Sequence, residues 1–212
     1  MFGATDGGVF DDQVDFARYE SEMRRYYSNI VGKYSGMVQK ALAKLSSARI
    51  GAICPLHGLV WRSDPARVIG LYDRWSRYEA DDAAVVIRRI AEAGVRDIRV
   101  YDVSKTHVSY LISEIWRCRG VLLGSCAYNT QMFPLMENLT RDLLHAGPKD
   151  RLLGVFGTYS WNGGGVKNLN VFAEQIGWET VAPSAEILGR PTCEKYAACD
   201  ALADAMACRL KK

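Results

Sequence analysis

From about residue 81 to the end of the chain, short apolar segments alternate with segments whose apolar residues recur every three or four positions. Apolar runs between turn residues are typical of buried strands, whereas the longer spacing is typical of helices that cover a sheet. The predicted strands are DIRVYDV, GVLLGS, RLLGVFG and ETVAPSAEIL. The predicted helices are DDAAVVIRRIAEAG, HVSYLISEIWRC, FPLMENLTRDLLHAG, GGVKNLNVFAEQIG and CEKYAACDALADAMACRL. This alternation predicts an α/β fold with a doubly wound parallel sheet, because the helices supply right-handed crossovers.

The residues before this alternation follow a different pattern. A polar stretch leads into an amphipathic helix, DFARYESEMRRYYSNIVGKYSGMVQKALAKLSS, which Gly36 is expected to kink. The segment ARIGAIC is a strand candidate that ends at Pro55. A further helix is predicted from Pro65, because Asp64 is a suitable N-cap and proline fits the first helical position. A mostly helical segment is therefore expected to precede the α/β domain.

Composition narrows the function class. The 212 residues are 49% hydrophobic and 24% charged, which is typical of a globular protein with one large domain or one domain and an attachment. Basic and acidic residues are interspersed, with a net charge of +3, so nucleic acid is not indicated as a partner. No segment approaches the roughly 18 apolar residues that span a bilayer. We expect no membrane association, a cytoplasmic location, and six cysteines present as free thiols, because they form no CxxC pair.

Two of the predicted strands end in loops that are both polar and aromatic, GSCAYNTQMFP and GTYSWNGGG. In a doubly wound sheet the ligand binds outside the carboxyl ends of the strands, and parallel strands place those ends on one edge. Aromatic rings at this edge can stack on a flat ligand while amide side chains hydrogen-bond to its heteroatoms. The alternative is that the aromatic side chains only cover the edge of the sheet. The residues in question are Tyr128, Asn129, Tyr159, Trp161 and Asn162.

These loops resemble a known family. VLLGSCAYNTQMFPLMENL, GVFGTYSWNGGGVKNL and EILGRPTCEKYAACDALADAM resemble the flavodoxin-like carboxyl-terminal domain of flavodiiron proteins, the A-type flavoproteins that reduce dioxygen or nitric oxide. The upstream segment, with PLHGLVWR, resembles the final part of the metallo-β-lactamase-like diiron domain of that family. The resemblance implies a remnant of the diiron domain with a linker helix over residues 1–78. It implies a flavodoxin-like FMN domain over residues 79–212.

The resemblance also implies cofactors and partners. FMN would be held at the two strand ends and would pass electrons to a non-haem diiron centre, and His57 matches the last histidine ligand of the iron pair. A redox donor such as rubredoxin or a flavin reductase is implied as the partner. The residues carried over to flavin binding are Ser125, Tyr128 and Asn129 in the first loop and Thr158, Tyr159, Trp161, Asn162 and Gly163 in the second.

The sequence departs from the family pattern at the binding sites of both cofactors, the iron pair and FMN. Of the iron ligands only His57 is present, and one imidazole cannot fix two irons. The family places a first strand and a phosphate loop rich in Ser, Thr and Gly directly before the helix DDAAVVIRRIAEAG, but no glycine occurs between Gly70 and Gly94. The sheet is therefore expected to lack its first central strand, and FMN binding is expected to be weakened. Two repairs are conceivable, insertion of ARIGAIC into the vacant position or homo-oligomerisation through the gap.

Two functions remain open at this point. The first is an FMN-binding electron-transfer module of a flavodiiron-type oxidoreductase. The second is a truncated, non-catalytic remnant or interaction module that has lost flavin and metal binding. A redox role for Cys126 is a weaker third option, because thiolate activation needs a cation or a helix N-terminus beside the sulfur.

Overall fold

The computed structural model describes residues 7–79, 81–85, 88–189, 192 and 195–211, and of residues 81–85 and 88–89 it describes the backbone alone. The chain divides into two compact units, Met1–Glu79 and Ala80–Lys212. None of the described helices is long and apolar enough to cross a bilayer. The described cysteines, which do not include Cys193, are free thiols.

The first unit is mostly helical. Its segments are a 3-10 turn at Asp11–Gln13, α1 (Phe16–Tyr26), a π-helical turn at Tyr27–Val31, a 3-10 turn at Gly32–Tyr34, α2 (Ser35–Leu45) and α3 (Pro65–Ser76). The predicted start of α3 is confirmed, since the Asp64 carboxylate accepts the backbone N–H of Arg67 at 3.0 Å and Pro65 is the first helical residue. The core of this unit contains Tyr19, Leu59, Trp61 and Val68.

The long amphipathic helix is interrupted before Gly36, where we predicted the kink. The π-helical turn begins at Tyr27, which is completely buried, and its hydroxyl lies 2.9 Å from Ser35 Oγ. The Tyr27 ring packs edge-on against Tyr72 with the ring centroids 5.2 Å apart. The interruption therefore begins at the buried Tyr27, well before Gly36.

The segment ARIGAIC does not enter the sheet of the second unit. Ile53 instead forms an isolated antiparallel bridge with Trp61, through backbone hydrogen bonds of 2.8 and 2.9 Å. The hypothesis that this segment fills a vacant central position in the sheet is therefore wrong. The backbone N–H and C=O groups of Ile53 are therefore paired within the first unit.

The second unit is a mostly parallel sheet with helices between its strands. The strands are β1 (Asp81–Val85), β2 (Cys118–Tyr128), β3 (Gln131–Met132), β4 (Leu152–Tyr159), β5 (Glu179–Thr180) and β6 (Ala185–Leu188). The helices are α4 (Arg88–Glu92), α5 (Val108–Arg117), α6 (Pro134–Ala146), α7 (Gly165–Ile176) and α8 (Tyr196–Leu210). The described sheet has the order β1, β2, β4, with β5 and β6 both pairing with β4, and only the short β3 is antiparallel. The predicted α/β class is confirmed.

The beginning of the second unit differs from the prediction. We expected DDAAVVIRRIAEAG to be helical throughout, but its first five residues form β1, and the helix is reduced to α4. Because β1 pairs in parallel with β2, the position next to β2 is occupied over part of its length. We expected the sheet to lack its first central strand, and this expectation is wrong for the part of β2 that β1 covers. Alanine and valine permit either structure, and a neighbouring edge with free backbone groups decides in favour of the strand.

The predicted strand DIRVYDV is also absent as a strand. Over residues 97–103 the chain forms a loop with a single bridge at Ile98. Val100 is 72% exposed, so its apolar side chain contributes little burial. Asp97 is held by Arg117 at 2.6 Å, and Asp102 accepts the backbone N–H of Ser104 at 2.9 Å. Polar contacts with neighbouring side chains and with the local backbone thus replace a ladder.

A buried arginine links α5 to β4 by hydrogen bonds. Arg151, only 1% exposed, precedes β4 and donates hydrogen bonds to the carbonyl oxygens of Ile115, Trp116 and Lys149. Burial lowers the pKa of Arg151 to about 10, since the charged form is poorly solvated there, and the negative charge of Asp150 compensates in part. Arg151 therefore joins the end of α5 to the start of β4.

We predict that Arg151→Met lowers the free energy of unfolding by about 3 kcal/mol, because it leaves buried carbonyl groups without their donor. Urea unfolding followed by circular dichroism measures this change. Arg141→Met is the matched control: this arginine on α6 is 64% exposed, so a change within about 0.5 kcal/mol is expected. Equal effects of the two substitutions would contradict the role assigned to Arg151.

Candidate functional site

Two neighbouring strands end at the same level of the sheet and carry the candidate loops. β2 and β4 are parallel and in continuous register over seven residue pairs, from Gly120 opposite Leu152 to Cys126 opposite Thr158. We define the first loop as residues 125–133 and the second loop as residues 158–165. Their common level results from the unbroken pairing. The expectation that these two loops share one edge of the sheet is confirmed.

The first loop is a tight hairpin. Ala127 pairs with Met132 and Tyr128 with Gln131, while Asn129 and Thr130 form the turn with φ values of 48° and 61°. Two consecutive residues with positive φ are typical of a type I′ turn, which matches the twist of the flanking strands. Asparagine tolerates this conformation, but a β-branched threonine adopts it at a cost. The turn is thus held in place by its surroundings.

Ser125 anchors the base of the first loop. Its side chain is buried, and Oγ accepts the backbone N–H of Phe133 at 2.8 Å and donates to the carbonyl oxygen of Cys126 at 2.9 Å. These two bonds join the beginning of the hairpin to its end. Ser125 was predicted as a flavin-binding residue, and the structure places it beneath the loop in a supporting position.

Two glycines of the second loop let it lie against the first. A Cβ atom at Gly164 would overlap the carbonyl oxygen of Thr130, and one at Gly165 would come within 2.9 Å of the carbonyl oxygen of Ser125. We expected the glycines of this loop to allow close approach of a ligand. At these two positions the space is filled by backbone of the first loop. Gly163 differs, since the atoms nearest to a Cβ there belong to the Glu186 side chain, at 3.4 Å and beyond.

The two loops enclose a cavity of about 270 Å³. Its lining residues are Ala127, Asn129, Thr130, Ser160, Trp161 and Asn162. Three of the predicted residues therefore come together, namely Asn129, Trp161 and Asn162. The prediction omitted Ala127, Thr130 and Ser160, although their position between the predicted residues was an available signal. Both loops contribute, so the cavity exists only because the strands end side by side.

The other predicted residues lie around this cavity without lining it. Tyr128 is 52% exposed, Tyr159 is half-buried, and Thr158 and Gly163 are exposed. Their assignment to flavin binding stays a prediction.

The cavity can bind a planar, polar ligand. Trp161 is 86% exposed, so the indole ring is available for stacking. The side-chain amides of Asn129 and Asn162 both donate and accept hydrogen bonds. None of the six lining residues is an acid or a base near neutral pH. The chemistry would therefore come from the ligand, as in cofactor sites.

His57 lies in the first unit, in a cavity of about 310 Å³ with mostly apolar walls. Its ring centroid is 5.6 Å from that of Tyr26. Glu22, another residue of the cavity wall, is bound by Arg25 at 2.7 Å. Among the residues that the structure describes, no three His, Cys, Asp or Glu side chains are grouped so that they could hold a metal ion. A diiron centre needs several such ligands, so the described residues do not fit one.

An architecture like that of the second unit occurs in flavodoxins. The structure of a flavodoxin from the domain Archaea superposes with a TM-score of 0.52 at 19% identity, covering 61% of this chain and 97% of that one. No protein-family model matches the sequence. The fold of the second unit is flavodoxin-like, with the two-loop cavity at the carboxyl edge of its sheet.

Longer relatives cover nearly the whole chain. A nitric oxide reductase of Moorella thermoacetica is 30% identical over 219 aligned positions, which cover 95% of this chain and 55% of the relative. The rubredoxin oxygen:oxidoreductase of Desulfovibrio gigas superposes with a TM-score of 0.89 at 24% identity, and the superposition covers 97% of this chain and 56% of that protein. The flavodiiron protein of Giardia intestinalis superposes with a TM-score of 0.88 at 20% identity, and the superposition covers 99% of this chain and 57% of that protein.

This chain is a homologue of the flavodiiron proteins and corresponds to their carboxyl-terminal part, which confirms the resemblance seen in the sequence. It spans about half the length of the relatives named above.

We predict that Gly164→Ala lowers the free energy of unfolding by about 1 to 3 kcal/mol, because the added methyl group forces the two loops apart. Gly163→Ala, one residue earlier, is the matched control and should change stability by less than about 0.5 kcal/mol. Thermal unfolding of the two variants checks this. Similar losses in both would show that the loops are not packed as described.

Proposed function

We propose that this chain binds FMN through the isoalloxazine ring in the two-loop cavity and serves as an electron-transfer module of a flavodiiron-type oxidoreductase. In the intact family member that enzyme would reduce dioxygen or nitric oxide at a diiron site. The observation that carries the proposal is the single cavity formed by two adjacent strand ends, with an exposed indole ring and two amide side chains. The names of the relatives, a nitric oxide reductase and an oxygen:oxidoreductase, support the reaction class.

The chain's own residues would bind and orient the ring. Trp161 would stack on the ring or cover its edge, while the amides of Asn129 and Asn162 would hydrogen-bond to its polar edge. When bound, the flavin supplies oxidation and reduction, which no lining side chain provides. The residues described here give no iron site, so the iron chemistry is not assigned to this chain.

An electron donor would reach the ring from the open side of the cavity. Trp161 and Tyr128 are both well exposed, so these two side chains are accessible to a donor protein. Rubredoxin or a flavin reductase is the proposed donor class, and the rubredoxin oxygen:oxidoreductase of Desulfovibrio gigas carries the first of these in its name.

The second candidate is a non-catalytic module that keeps the scaffold without its cofactors. The lack of a metal-ligand group among the described residues favours it. The two candidates differ in one property, the ability to retain a flavin.

The test is a titration of the purified full chain with FMN, followed by flavin fluorescence and by the absorbance of the desalted protein. We expect saturable binding and a yellow protein. A chain that stays colourless and does not quench the fluorescence of FMN would refute the proposal and support the non-catalytic module.

Replacement of Trp161 localises the flavin. Trp161→Ala should weaken FMN binding about tenfold, because a stacked ring contributes about 1 to 1.5 kcal/mol. Trp161→Phe keeps an aromatic face and should weaken binding by less than about threefold. Tyr196→Ala removes an aromatic ring that is 50% exposed on α8 and should leave binding unchanged. An equal loss in the Tyr196 variant would place the flavin elsewhere.

A further inference from the structure

We infer that this site recognises the flavin ring and does not recognise the phosphate of FMN, so that riboflavin binds as well as FMN. The inference rests on the proposed function. Three observations carry it: the level at which β1 ends, the residue types that follow β1 in the sequence, and the charged residues in the wall of the cavity beside β2.

In a doubly wound sheet a ligand phosphate is held where a strand beside the ligand crevice turns into its helix, by backbone N–H groups at the N-terminus of that helix. In this unit that strand is β1, the neighbour of β2. A phosphate site therefore requires the end of β1 to reach the level of the two-loop cavity.

β1 ends far below that level. Its last residue, Val85, pairs with Val121, whereas the strands bearing the two loops remain paired up to Cys126 and Thr158. Five strand residues at roughly 3.3 Å each place the end of β1 about 16 Å below the cavity. Those five residues contain about fifteen backbone bonds, while the ribityl-phosphate tether of FMN has about seven covalent bonds. A phosphate attached to a ring in the cavity would thus not reach the end of β1.

The connection after β1 is also poorly suited to an anion. In the sequence, Val86 and Ile87, which lie outside the described residues, come between β1 and α4. Neither residue has a hydroxyl group or the conformational freedom of glycine that phosphate loops use. With five residues, α4 has little helix dipole to offer.

A second cavity, of about 270 Å³, lies beside the part of β2 that extends past β1. Its walls are largely apolar, and they include Val121 to Gly124 of β2. The charged residues in its wall are Asp102 and Glu114, both acidic. A phosphate dianion entering here would meet carboxylates and aliphatic side chains.

The nearby cations are already engaged. Lys105 lies 3.4 Å from Asp102, and Arg117 lies 2.9 Å from Glu114. Hydrogen bonds from Ser104 hold the pKa of the Asp102 carboxyl below its usual range, so this group is ionised at neutral pH. The lining residues that the structure describes therefore offer phosphate no cation of their own.

The test is a parallel titration of the full chain with FMN and with riboflavin, at low and at high ionic strength. We expect the two dissociation constants to agree within about threefold at both salt concentrations. A phosphate site with only two charge-assisted hydrogen bonds would favour FMN by at least about a hundredfold. A preference of that size would overturn this inference and leave the proposed function intact. If neither compound binds, the proposed function fails as well, so the two failures are distinguishable.

A charge variant tests the electrostatic step. Asp102→Asn should shift the affinity ratio toward FMN by about two- to threefold at low salt, because one negative charge is removed and Lys105 is released. Asp142→Asn on α6 removes a carboxylate that does not line the second cavity and should leave the ratio unchanged. A ratio unaffected by Asp102→Asn would overturn the role assigned to this carboxylate.

Discussion

The parallel register between β2 and β4 is the constraint on which the candidate site depends. Seven consecutive residue pairs leave no freedom for one strand to slide, so both loops emerge at one level. The close approach of Gly164 to the Thr130 carbonyl then locks the second loop to the first. A ligand cavity is the consequence of these two contacts together, because each loop supplies only half of the lining.

In the second unit the two central strands, β2 and β4, are long and buried, whereas the neighbouring strand β1 is short. β2 and β4 are buried on both faces, and Arg151 links the start of β4 to the end of α5 through three carbonyl groups. β1, in contrast, covers only the first part of β2. The two-loop cavity, which we propose binds the flavin ring, lies at the ends of these central strands, whereas β1 lies beside them and ends at a lower level.

The parts of the fold that could be predicted from sequence are those with a strong local signal. Asp64 followed by Pro65 marked the start of α3, and the apolar runs around Leu122 and Val155 marked the central strands. The loops with Asn129 and Trp161 could be placed on one edge, because parallel strands share a direction. Local signals were too weak at residues 81–85, where alanine and valine suit either a helix or a strand. There the pairing with β2 decided that the segment is a strand.

The sequence by itself determined the alternation of strands and helices and the aromatic, amide-rich composition of the two loops. Only the tertiary structure decided which loop residues share the cavity, that Ser125 supports a loop from beneath, and that Gly164 and Gly165 serve contact between loops. The physical reason is that hydrophobic period and residue type are local properties. The filling of space beside a glycine, and the height at which β1 stops, depend on chain segments distant in sequence.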